Sequence, residues 1–160
     1  MRYLKSILFL VLVYLLMLGS RTEEIRLTEG IQPGNLAPEI NWQDINLKSN
    51  KFTLLQFWAG YDAHSRMMNV RMHNAISKLK TENIRLISVS LDENEAVFEG
   101  IVKAEQLNPE TQFNDPRGKN SEIFKAYRLQ SGFTNRLINP EGVIVAKNVN
   151  PNEIPGYIEQ

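Results

Sequence analysis

Asp62, His64 and Ser65 fall within four residues of one another in the stretch FTLLQFWAGYDAHSRMM, residues 52–68. A carboxylate, an imidazole and a hydroxyl are the groups of a nucleophilic hydrolase. With His73 they also supply oxygen and nitrogen donors for a metal. Spacing argues against both. Side chains at i and i+1 on a helix diverge by about 100°, so His64 and Ser65 do not face each other, and no G-x-S-x-G elbow is present. His64 and His73 stand nine residues apart, half a turn out of phase on a 3.6-residue helix. Met67, Met68 and Met72 suggest soft-metal binding, but their spacing suits core packing. The acidic run DENEAVFE lacks the alternating ligands and glycine of a calcium loop and suits a solvated helix start. The expectation is no catalytic group, no metal and no cofactor.

The 160 residues contain no cysteine. That excludes a disulfide, a thiolate nucleophile and a thiolate metal site. Basic and acidic side chains number 18 each, so the balance offers no footprint for nucleic acid. The first residues, MRYLKSILFLVLVYLLMLGS, place Arg2 and Lys5 ahead of an apolar run from Ile7 to Leu18, then Gly19 and Ser20. This is the pattern of a secretory signal, and twelve apolar residues fall short of the ~20 that span a bilayer comfortably. Leu18 makes a poor cleavage site after Ser20, so residues 3–19 also qualify as an uncleaved anchor. Export is expected either way, to the periplasm or the outer face of a membrane.

Residues 21–36 are polar and punctuated by Gly and Pro, as a linker and lead-in would be, with the folded domain expected over 37–160. Ile40, Trp42, Ile45 and Leu47 alternate weakly, as in a short strand or hairpin, and Trp42 and Trp58 suit core or near-core positions. FTLLQFW predicts a strand buried on both faces. From Ala63 the period becomes helical, with Met68, Met72, Ala75, Ile76 and Leu79 on one side and Arg66, Asn69, His73, Lys78 and Lys80 on the other. NIRLISVSLD predicts a second buried strand. Val97, Ile101, Ala104 and Leu107 mark another amphipathic helix. A brief strand at Gln112-Phe113, a short helix capped by Ser121, a hairpin turning at 139–142 and a short terminal helix complete the chain. Strand–helix–strand units closed by a hairpin imply a mixed central sheet with helices on both faces.

That order and several residues resemble the thioredoxin superfamily, chiefly its exported thiol–disulfide oxidoreductase branch. NLAPEI resembles the family's lead-in, and FTLLQFWAGYDAHSR its strand and F-W-A-x-W-C-x-x-C-R turn. FKAYRLQSGFTNRLINPEGVIV resembles its Y-x-V-x-x-x-P-T-x-F-L-I-D-x-x-G-x-I segment. The resemblance covers about residues 33–148 and implies an α/β fold, a three-layer α/β/α sandwich. It places Asp62 and Ser65 at the two cysteine positions, Tyr61 at the preceding tryptophan and Phe133 at the cis-proline. A carboxylate and a hydroxyl cannot carry out thiolate attack on a disulfide.

On this resemblance Asp62 is expected to cap the helix, with Ser65 at its third position. Before a non-proline residue the cis peptide is costly, so Gly132–Phe133 is expected to be trans, with an aromatic side chain over the old site. The expected function is a redox-inactive binding or adaptor module that keeps the groove. Its partner face is Trp58, Tyr61, Asp62, His64, Ser65, Phe133 and Thr134, and its partner an extended peptide or an envelope protein. An uncleaved N-terminal segment would add the membrane. The alternative is an accessory protein of envelope thiol–disulfide homeostasis, acting through a partner's cysteines.

Overall fold

Phe52–Trp58, with the strand formers Phe52, Thr53, Phe57 and Trp58 at its two ends, forms β1 at the centre of the sheet. The computed structural model describes Tyr3 and residues 27–40, 45–79 and 81–159. The rest of the signal or anchor segment, and Trp42, lie outside the described residues. After β1 come α1 (Ala63–Lys78), β2 (Ile84–Ser90), α2 (Glu95–Ala104), β3 (Gln112–Asn114), α3 (Glu122–Ala126), β4 (Asn135–Ile138), β5 (Ile144–Lys147) and α4 (Ile154–Ile158). The sheet order is β3-β2-β1-β4-β5. β1 and β3 each run parallel to β2, and β4 pairs antiparallel to both β1 and β5. Among the described residues no helix is long and apolar enough to cross a membrane.

Alternate side chains of β1 enter different packing layers, as the period of two requires. Leu55 and Phe57 join Ile87, Val89, Ile123 and Tyr127 on the face covered by α3. Leu54 packs with Met72 of α1 and Ile154 and Ile158 of α4. Trp58, on that same side of β1, meets Ile101 and Val102 of α2. Ser121 caps α3 by accepting from the amides of Ile123 and Phe124. The Tyr127 hydroxyl donates to Pro38 O at 2.7 Å and ties the lead-in to this layer. Burial, the dominant influence, pushes that phenol well up from its ordinary range.

Four features differ from expectation. The described residues between 37 and 47 form no strand. Ile40, Ile45 and Leu47 are nevertheless buried in the core, so their alternation reflects inward side chains rather than sheet pairing. The lead-in belongs to the fold from Thr28, because Leu36 bonds to Thr28 O and bridges to Val143. In α2 the buried face is turned: Val97 is 45% exposed and Ala104 also faces solvent, while Ile101 and Val102 are buried. Phe98 sets that rotation, its ring centroid 6.0 Å from that of Trp58. Asn69, expected on the solvent side of α1, is fully buried.

Asn69 donates to Gln112 Oε1 at 3.0 Å and accepts from the Ser88 hydroxyl at 2.5 Å, joining α1 to β2 and β3. Removing one partner of a buried hydrogen bond leaves the others desolvated and unpaired. Asn69→Ala should therefore lower the unfolding free energy in urea by about 2 kcal/mol, with the denaturant slope unchanged.

Candidate functional site

β1 delivers the chain to a sharp corner, Ala59–Asp62, before α1 begins. Three interactions hold that corner. The Gly60 amide donates to both carboxylate oxygens of Asp92, at 2.9 and 2.8 Å. The Ser90 hydroxyl donates to Asp92 Oδ2 at 2.7 Å. The Asp62 amide closes the turn onto Ala59 O at 3.0 Å. A β-carbon on residue 60 would lie 2.5 Å from Ile101 Cδ1 and just over 3 Å from the Asp92 carboxylate, so a larger residue would have to displace the Ile101 side chain and press on Asp92. Asp92 is buried, contrary to the solvated helix start expected of its acidic run; its partner is an amide 32 residues earlier.

Asp62 has the extended backbone of an N-cap, and its Oδ1 accepts from the Ser65 amide at 2.7 Å. This satisfies one of the free amides at the start of α1. The Ser65 hydroxyl donates to Asp62 O at 3.1 Å and accepts from the Ala59 amide at 3.3 Å. It is a staple within the corner, and with no hydrogen bond to an imidazole it has no base to activate it. Among the described residues no three His, Asp or Glu side chains gather as a metal site.

Across the corner lies Phe133. The Gly132–Phe133 peptide is trans, and Gly132 has φ +119°, a conformation that favours glycine. Phe133 packs partly into the core and presents its ring to Tyr61, centroids 6.2 Å apart and planes tilted by 59°. That separation and tilt suit an aromatic pair. Tyr61 is 62% exposed. Partial burial, then the carboxylates of Asp92, Asp62 and Glu93, push its phenol above the ordinary range.

The expected partner face is therefore corrected in two places. Trp58 is 0% exposed and Ser65 1%, so neither can touch a partner; both support the corner from inside. Trp58 points inward because it continues the buried period of β1, and Ser65 because its hydroxyl bridges Ala59 and Asp62. Tyr61, Asp62, His64, Phe133 and Thr134 keep some exposure. His64, Phe133 and Thr134 also line a cavity of about 300 Å³ beside α1, together with Gln56, Asn135 and Asn148. These last three were not among the expected site residues. The signal for Gln56 was available: a polar residue interrupts an apolar run that otherwise reads as buried on both faces.

No protein-family model matches the chain, and no curated protein matches it. Solved structures do. A thioredoxin-like protein from Parabacteroides distasonis ATCC 8503 is 43% identical, with a TM-score of 0.81, over 84% of this chain and 100% of that one. A thiol-disulfide oxidoreductase from Bacteroides fragilis NCTC 9343 is 26% identical, with a TM-score of 0.56, over 69% of this chain and 81% of that one. StoA from Bacillus subtilis, 20% identical with a TM-score of 0.58 over 69% of this chain and 84% of its own, shares the fold.

Two outcomes are expected of this site. Asp62→Ala should cost about 1 kcal/mol of unfolding free energy in denaturant through loss of the cap. In the difference spectrum between the natural chain and Tyr61→Phe, Tyr61 should ionise above the ordinary value of 10.0, and Asp92→Asn should bring it down. Because the folded state disfavours the phenolate, this group's contribution to stability is intact below pH 10 and declines above it.

Proposed function

Because the chain belongs to the thioredoxin-like proteins, we propose that it is a redox-inactive member that binds an extended peptide segment across the former active-site face. Its thiol-disulfide oxidoreductase neighbours perform a reaction that needs a thiolate, and these 160 residues hold no cysteine. What remains at that place is a rigid corner with an aromatic pair above it. The carrying observation is that pair: Tyr61, largely exposed, against Phe133, which is anchored in the core. Large aromatic side chains held in place lose little freedom on binding and are enriched among residues that dominate affinity. Asp62, His64 and Thr134 form a polar rim around them. The basic and apolar pattern of residues 1–20 supports export, so the partner is an envelope protein in the periplasm or at the outer face of the membrane.

Crosslinking and affinity capture of the tagged full-length chain in its native envelope test this reading. Truncating a dominant aromatic typically costs about 2 kcal/mol or more, close to a thirty-fold loss of affinity. Tyr61→Ala alone, which leaves the core untouched, should weaken capture of a partner at least that much, and Tyr61→Ala with Phe133→Ala should abolish it. The same partner captured undiminished by a folded double variant would show that this face is not the site.

A further inference from the structure

The pocket beside α1 carries chemistry of its own. Gln56 of β1 stands directly opposite Asn135 of β4, on the side of the sheet where Leu54 and Leu137 meet α1. Gln56 is 1% exposed. Its Nε2 donates to Phe57 O at 2.6 Å, and since a carbonyl can only accept, this contact fixes which end of the amide is nitrogen. Its Oε1 is left buried with no hydrogen-bond partner among the described residues, in a side chain that lines the 300 Å³ cavity. Buried acceptors are seldom left this way.

Two of the neighbouring polar groups are already partly committed. Asn135 donates to Val149 O at 3.1 Å and accepts from the Val149 amide at 2.7 Å. Thr134 Oγ1 accepts from Arg136 Nη1 at 2.6 Å, so its own hydrogen is the one it has left to give. Gln56 thus offers the pocket an acceptor and Thr134 a donor, beside the polar side chains of His64 and Asn148. Charge narrows the ligand further. Among the described residues no acidic side chain lines the pocket, so a cation would find no counter-charge there. A carboxylate would set an oxygen against the Gln56 acceptor.

We propose that this pocket receives a neutral primary amide, the side chain of an asparagine or glutamine in the bound peptide, which donates to Gln56 Oε1 and accepts from the Thr134 hydroxyl. Met68 and Val149 supply apolar wall for its methylene groups. The inference rests on the peptide-binding reading only for the origin of the amide.

The test is titration of the full chain, isotope-labelled, with acetamide, acetone, methylammonium and acetate, followed by NMR. Acetone has the shape and carbonyl of acetamide but no N–H donor. Acetamide should shift the Gln56, Thr134 and Asn148 signals saturably, with acetone at least ten-fold weaker and neither ion saturating. Gln56→Met should erase the acetamide preference, and Tyr61→Ala, which does not line the cavity, should preserve it. Equal binding of acetone, stronger binding of methylammonium or acetate, or no saturation by any probe overturns the proposal on the unmodified chain. A retained acetamide preference together with partner capture undiminished in the double aromatic variant would overturn the peptide reading and leave the amide pocket standing.

Discussion

Everything at the candidate site depends on a main-chain amide held by a buried carboxylate. Gly60 N–H and Asp92 lock the end of β1 to the end of β2, and the chain then has two residues in which to start a helix. Asp62 supplies the acceptor that the first turn lacks, and Ser65 braces the corner from inside. This geometry decides the fate of the two bulky aromatics on either side. Trp58, before the lock, is driven into the core; Tyr61, after it, is turned out.

The same corner explains how a reactive site can be emptied of its reaction without collapsing. An amide-lined helix start favours negative charge, and the Asp62 side chain meets that demand by accepting from the Ser65 amide. Ser65 keeps the hydrogen-bonding pattern of a small polar side chain at its position, with both donor and acceptor spent on the backbone. The replacement is thus favourable for folding. Phe133 completes the change by filling space above the corner with a ring that is itself rooted in the core.

The outline of the fold was legible in the sequence because it rests on local signals. β1 and β2 are runs rich in apolar residues and strand formers, α1 has helical spacing, and Asp62 and Ser121 are strong caps whose acceptors lie two or three residues away. What escaped is set by partners distant in the chain. Asn69 looks like a surface residue until Ser88 and Gln112 close around it. Asp92 looks like one more acid in an acidic run, and Val97 and Phe98 are equally plausible anchors until Trp58 chooses between them. Ser65 and Trp58 were placed on the partner face because the resemblance marks positions along the chain, whereas exposure is fixed by the turn; the core position that Trp58 also suited is the one it takes.

The edges of the sheet carry a different consequence. On one side the lead-in lies along β5, with Gly34 and Ala37 donating to Ile144 O and Gly142 O and Ile144 donating back to Asn35 O. On the other, β3 is only three residues long. Open strand edges are where chains join into aggregates; among the described residues one edge of this sheet is short and the other is partly covered. A cysteine-free domain has no covalent brake on disordered association, so the covering of its rims serves as a kinetic guard. The lead-in therefore doubles as a protective seam: trimming it would expose part of β5 to its own copies while also withdrawing Ile31 and Ala37 from the core.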